Sequence, residues 1–336
     1  MISFLVRRLL QMVFVLFGLT LLTFALVRIV PTDPAALLAG ENAGAEQIEQ
    51  IRARYGFDRP VHEQFVLYLG QIARGDLGRS LYTNREVATD LAQRLPATME
   101  LSLVAMGLAI GLGLPLGVLA ASQHRGVVDQ VARVFSMMGL AVASFWLAII
   151  LQMTFSLQLG WLPLRGRIAT MAEPPPDITG FYTVDYLLTG DLAGLWGALL
   201  HLALPAITLA LPGMATISRF VRSSMIETLQ KDFVDYETAM GYPRRILVWK
   251  YVLRNSLSSA VTQIGLLFGL LLSGSVVVEA VFSWPGLGDY IYNGIVTGDS
   301  NPVLATTLLI GVIYAVVNIL VDLTQVLIDP RIGFSK

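Results

Sequence analysis

The sequence predicts an all-α membrane protein with six transmembrane helices and both termini on the cytoplasmic side. Three observations lead there: an apolar excess, six long uncharged stretches, and basic residues gathered in alternate loops. Hydrophobic residues fill 55% of the 336 positions and charged residues only 14%, against roughly 25% charged in ordinary soluble domains. Mean hydropathy is +0.66. A soluble core of this size has no interior for so much apolar surface, whereas a bilayer does. The net charge of −1 gives no basic footprint for a nucleic-acid partner. The absence of cysteine excludes disulfides and thiolate metal sites.

The uncharged stretches run Leu9–Val27, Leu101–Arg125 (closing at the arginine), Val134–Leu164, Leu192–Ser218, Ser256–Val278 and Asn301–Val321. Each is long enough for the roughly 20-residue helix that crosses a hydrocarbon core. Lipid offers no partner to a free peptide group, so each should be helical. The chain therefore divides into an N-terminal helix over 1–30, an external segment over 31–97, and a five-helix core over 98–330. The core spans are expected near 99–123, 135–157, 198–219, 256–279 and 301–327. An external loop fills 159–197 and a cytoplasmic loop 220–255.

Orientation follows from the arginines and lysines. Arg7 and Arg8, Arg125 and Arg133, seven basic residues between Arg219 and Arg254, and Arg331 with Lys336 all fall on one side. The other side has only Arg165 and Arg167 in 159–196 and no basic residue in 282–300. Arg7 and Arg8 before an apolar run also fit a signal peptide. The run exceeds the usual h-region and five more spans follow, so the first helix reads as uncleaved.

In the external segment, Ala45–Tyr55 and His62–Arg74 suit amphipathic helices, the second with Phe65, Leu69 and Ile72 at helical spacing. Pro31, Pro34, Pro60 and the Gly75–Ser80 turn punctuate it. Two readings stand side by side, a cap over helix ends and a platform for an external partner. In 159–197, Pro174–Pro176 form a stiff run, and Trp161, Trp196 and Tyr186 suit the interfacial zone.

The cytoplasmic loop carries the most information. Asp232 and Asp235 suit a helix start, and Gly241 with Pro243 suits its end. Met225, Leu229, Phe233, Tyr236 and Met240 recur every three or four residues. Such a stripe suits burial in a partner's groove, against the chain's own bundle, or on the lipid surface.

Tests for chemistry are negative. The chain has no Gly-Lys pair, hence no P-loop, and neither G-x-S-x-G nor H-E-x-x-H. His62 and His124 fall in the loops that connect spans, and His201 lies near an outer helix end. Arg28, Glu100, Glu279 and Asp322 sit at span ends, whereas ion-coupled carriers usually place such groups inside. Glycines in the second and fifth spans suit close helix packing. Pro205, Pro212 and Gly213 are candidate hinges, because proline removes a backbone hydrogen bond. The competing readings are a stand-alone channel or secondary carrier and an intramembrane hydrolase built on His201.

One stretch of residues points to a family. Asp232-Phe233-Val234-Asp235-Tyr236-Glu237-Thr238-Ala239-Met240-Gly241, then Arg244-Arg245-Ile246-Leu247 and Tyr251-Val252-Leu253-Arg254-Asn255, resembles the loop of binding-protein-dependent ABC importer permeases. Phe4–Leu9, Pro31–Pro34, Tyr55–Pro60, Gly75–Ser80, Glu279–Gly288 and Asp329–Arg331 match the same group in register. The likeness is strongest to the first permease of the dipeptide, oligopeptide and nickel systems, and most of all to its dipeptide members. One departure stands out. Two basic positions of the family loop are Thr238 and Met240 here, and one of its alanines is Glu237, while Ala239 and Gly241 match.

The resemblance implies a type I permease fold in a bacterial inner membrane, with no enzymatic activity in this chain. It implies a heterodimer with a second permease, two ATP-binding subunits that hold ATP and Mg, and a periplasmic or lipid-anchored substrate-binding protein. It places ATPase docking on Asp232, Phe233, Tyr236, Glu237, Ala239, Met240, Gly241, Arg244 and Arg245. The altered charge of this loop suits a dedicated ATPase. The expected substrates are dipeptides or oligopeptides, with nickel complexes and glutathione as alternatives, and no substrate contact is named.

Overall fold

Apolar sequence without lipid-compatible alternatives becomes helix, and the computed structural model is mostly helical over the 2–29, 44–55 and 59–328 residues that it describes, with irregular segments at 74–86 and 159–181 and shorter turns elsewhere. Among them, five helices are long and apolar enough to cross a membrane: Val6–Val27, Val87–Ser122, Leu192–Thr228, Gln263–Phe282 and Ser300–Thr324. A sixth candidate is a pair, Val127–Ala141 and Ser144–Gln158, bent by 101°. The motifs at 31–34 and 329–331, half of that at 55–60, and the basic tail lie outside the described residues.

In chain order the helices are α1 (Ile2–Ile29), α2 (Ala45–Tyr55), α3 (Val61–Ala73), α4 (Val87–Ser122), α5 (Val127–Ala141) and α6 (Ser144–Leu151). There follow α7 (Tyr182–Thr189), α8 (Leu192–Thr228), α9 (Asp232–Ala239), α10 (Leu253–Phe282), α11 (Leu287–Thr297) and α12 (Ser300–Ile328). Two π-helical turns, Gln152–Gln158 and Leu247–Val252, extend α6 and lead into α10.

Three expectations are corrected. The third span is not one helix near 135–157. Val142 and Ala143 are both extended, at ψ 122° and 132°, which ends one helix and starts the next. Every residue around this break is uncharged, so hydropathy gives no sign of it. The second span is longer than 99–123, because α4 starts at Val87 within the segment assigned to the external side. The fourth exceeds 198–219, because α8 starts at Leu192, where Asp191 caps it through Gly194 N at 2.9 Å.

The chain forms two compact units. One comprises Met1–Ala97 with Pro285–Ala315, the other Thr98–Trp284 with Val316–Lys336. In the first, Phe65 and Tyr68 of α3 meet Phe17 and Phe24 of α1 at ring separations of 5.2–5.9 Å. Burial pushes the Tyr68 hydroxyl up to about 12. Val87, Leu91, Leu287, Tyr290 and Ala305 form a buried cluster. The 80–83 turn is held by Asp299, which accepts hydrogen bonds from Ser80 Oγ (2.8 Å), Leu81 N (2.5 Å) and Tyr82 N (3.3 Å). Asp299→Ala leaves these donors without their acceptor, at about 1–3 kcal/mol for each one that stays buried. Faster proteolysis of 79–86 in the purified variant is the expected result, and unchanged cleavage would refute it.

The second unit is packed through missing side chains. A Cβ on Gly113 would lie 2.8 Å from Met214 O, and one on Gly117 2.7 Å from Ser218 O, so α4 and α8 touch backbone to backbone. Gly265 makes room instead for a side chain, that of Val321, which a Cβ there would strike. The 159–191 loop is pinned by charge. Arg167 pairs with Glu100, donates to Gly180 O at 2.7 Å, and stacks on Tyr182 at 3.7 Å. Glu100 also accepts from Thr183 N and Oγ1, at 2.8 and 2.6 Å. Glu279 is fully buried and accepts from Thr98 Oγ1 at 2.8 Å. Trp161 and Trp196 are exposed as expected of interfacial residues, but Tyr186 is buried, its hydroxyl donating to Glu173 O.

Candidate coupling site

Helix α8 ends at Thr228, and three residues turn the chain before α9 begins. Lys231 is extended at ψ 144° and takes the N-cap position without a side-chain cap bond. Asp232 and Asp235 lie in the first turn, where carboxylates oppose the positive end of the helix dipole. The far end closes by a glycine-dependent turn. Gly241 sits at φ +83°, its N–H donating to Thr238 O at 3.0 Å, while Tyr242 N donates to Glu237 O at 3.3 Å. This pair of bonds is a Schellman closure, which needs a left-handed residue at its centre.

The connector is held from beneath. Val234 is buried on the inner face of α9, and Leu247, Val248 and Val252 are buried in the π-helical turn that returns the chain towards α10. Ser256 Oγ bonds Thr228 Oγ1 at 3.0 Å, tying the start of the excursion to its end. Arg244 Nη2 donates to Ser122 O at 2.9 Å. Tyr242 and Tyr251 meet edge to face at 5.4 Å. A hydrogen bond with Tyr242 raises the Tyr251 hydroxyl above its ordinary value, and Glu237 pushes the same way.

Large apolar and aromatic side chains remain uncovered, beside exposed charges. Tyr236, Met240, Tyr242 and Ile246 are 66%, 63%, 43% and 43% exposed and project from one small, rigid knuckle. Asp232 and Asp235 are exposed on α9, and Arg244 and Arg245 are exposed just after it. Phe233 is half-buried and Ala239 exposed. Glu237 is half-buried, and its Oε2 has no hydrogen-bond partner among the described residues.

The five-residue stripe read from sequence splits here. Met225 is fully buried within α8, and Leu229 caps that helix, so neither shares a face with Tyr236 and Met240. The helix period carries through the loop on paper, but the turn at 229–231 resets it. Val234, Tyr242 and Ile246 were missing from the expected site residues. Val234 breaks the stripe's spacing, and the other two fall past the glycine where the helix pattern stops.

Residues 113–334 match the family of binding-protein-dependent transport system inner membrane components. Residues 1–102 match the N-terminal part of the same kind of membrane component. The chain belongs to this family. Among relatives of the permease, the dipeptide transport system permease protein DppB of Alkalihalophilus pseudofirmus is 36% identical, over 99% of this chain and 100% of that protein. The probable D,D-dipeptide transport system permease protein DdpB of Escherichia coli is 38% identical, over 98% and 97%. The di/tripeptide transport system permease protein DppB of Pseudomonas aeruginosa is 39% identical, over the full length of both. In fold, the permease resembles the MetNI methionine ABC transporter in inward-facing conformations, with a TM-score of 0.53 at 16% identity, over 71% of this chain and 95% of that one.

As a member of this family the chain is a multi-pass membrane protein. Its remaining sequence-predicted positions lie elsewhere in the permease. Pro205 is buried and Pro212 half-buried inside α8, which stays helical through both. A Cβ on Gly213 would meet Ala109 Cβ at 3.2 Å, so this glycine serves close packing in the present state. His201 Nδ1 lies 3.1 Å from the Gly166 carbonyl, the structural bond expected of a lone histidine near an interface.

Proposed function

We propose that this chain is a permease subunit of an ATP-driven, binding-protein-dependent importer of dipeptides or oligopeptides in a bacterial inner membrane. The full-length identity to three peptide-system permeases supports the substrate class. Six spans place both termini in the cytoplasm, with the bent pair α5–α6 serving as one span. A second permease completes the path, and 31–97 meets the substrate-binding protein outside.

The observation that carries the energy-coupling part is the exposed knuckle at 232–246. It exposes Tyr236, Met240, Tyr242 and Ile246 together, more than a solvated turn needs, and it is too firmly held at Val234 and Thr228–Ser256 to be a loose loop. Two partner ATPases hold ATP and Mg and grip this knuckle. Tyr236, Met240 and Gly241 seat it, Phe233 and Ala239 line its edge, and Asp232, Asp235, Glu237, Arg244 and Arg245 set its charge complement. Closure of the ATPases moves the knuckle as a rigid body, and Pro205 and Pro212 let α8 tilt, because each leaves one helical carbonyl without its usual donor.

The sequence contains no cysteine, so Met240→Cys introduces a unique thiol at the knuckle. Cross-linking of that thiol to an ATPase subunit, paired with ATP-dependent dipeptide uptake into vesicles, is the expected outcome. Cross-links confined to the chain itself, or uptake without an ATPase, would sink the proposal.

A further inference from the structure

A second feature of this chain lies away from the knuckle. A cavity of about 500 Å³ opens between α5 and α8, with Arg133, Arg219 and Arg222 at one end and Ala132, Met137 and Leu140 along its body. Beneath it, fully buried Asp129 pairs with Arg222 through both carboxylate oxygens, and Arg133 and His124 reach the same carboxylate at 3.7 Å. Arg219 is exposed, with no ion pair among the described residues. The guanidinium groups of Arg222 and Arg133 share one carboxylate and Arg219 adds a third positive charge, which leaves a net charge of +2 at the cavity's end. No acidic side chain lines the cavity. On α5 the apolar wall continues outward through Val131, Val134 and Met138, all more than half exposed.

We infer that this cavity is a binding site for an anionic phospholipid of the leaflet on the arginine-rich side of the membrane. A phosphodiester headgroup matches the uncompensated arginines, and its acyl chains match the apolar wall. Each half of the site suits the same molecule. A zwitterionic peptide fits poorly, because its ammonium group would face the guanidinium cluster and its polar backbone an apolar wall. A soluble phosphate would use the arginines and leave the wall unused. Arg222 is committed to Asp129, so Arg133 and Arg219 are the residues with charge to give. Lipid held here bridges α5 and α8, the two helices that a 101° bend and the long α8 leave side by side.

The transporter complex containing the full-length chain, purified from vesicles of phosphatidylglycerol and phosphatidylcholine, is the material for the test. Native mass spectrometry should show phosphatidylglycerol retained over phosphatidylcholine. Arg133→Gln with Arg219→Gln should reduce that retention by roughly tenfold or more, and glycerol 3-phosphate should not displace the lipid. Equal retention by the double variant overturns the inference. So does displacement by glycerol 3-phosphate, which would make this a soluble-anion site. Quantitative cross-linking of Met137→Cys to the second permease would show protein covering the face, with the same consequence. None of these readouts depends on the coupling knuckle, so the two proposals fail separately.

Discussion

Gly241→Val is expected to abolish ATP-driven uptake while leaving the chain inserted in the membrane. At φ +83° a β-branched residue is strained by roughly 1–2 kcal/mol, which opens the Schellman closure and lets Tyr242 leave the knuckle. Gly241→Asp is strained less, because a short polar side chain tolerates the left-handed region better. It instead places a carboxylate among Tyr236, Met240 and Tyr242. Ala239→Asp is a control of a different kind: Ala239 is helical and exposed, so the variant changes the surface without backbone strain. All three should lower peptide uptake by about tenfold or more, since a loss of about 1.4 kcal/mol in coupling suffices for that factor. Uptake and membrane yield are measured side by side in proteoliposomes and whole membranes. Full uptake by all three inserted variants would remove the knuckle from the mechanism.

Arg167→Ala should destabilise the second unit by about 3–5 kcal/mol, because it leaves a buried carboxylate without its cation. Arg167 and Glu100 side chains are only 7% and 3% exposed. The residual hydrogen bonds from Thr183 offset part of the loss. The decisive comparison is with Arg167→Met combined with Glu100→Gln. Removing both charges costs less than removing one, so the double variant should melt at a higher temperature than Arg167→Ala. The thermal midpoint in detergent and trypsin cleavage within 159–191 report the effect. A double variant no more stable than the single one would show that the pair does not act as a buried ion pair.

Much of this protein was legible before any coordinates. Length and absence of charge located five of the spans, because helix is the only local structure that lipid permits for such stretches. The helix Ala45–Tyr55 and the one expected at His62–Arg74, observed at Val61–Ala73, followed from apolar spacing, and the end of α9 from Gly241 and Pro243. The residues at 232–241 and the register of the other motifs carried the family. What the sequence could not supply was direction and partnership. A uniformly apolar run gives no sign of where a helix turns, so the 101° break at Val142–Ala143 was invisible. Periodicity counts through a turn as though it were helix, so Met225 was grouped with Met240 although the fold buries one and exposes the other. The pairings Glu100–Arg167, Asp129–Arg222 and Ser80–Asp299 join residues 67, 93 and 219 positions apart. Local sequence therefore determined which segments are helices and which of them are apolar enough to cross a bilayer. Only the tertiary structure decided which charges meet, because burial and pairing depend on what packs opposite.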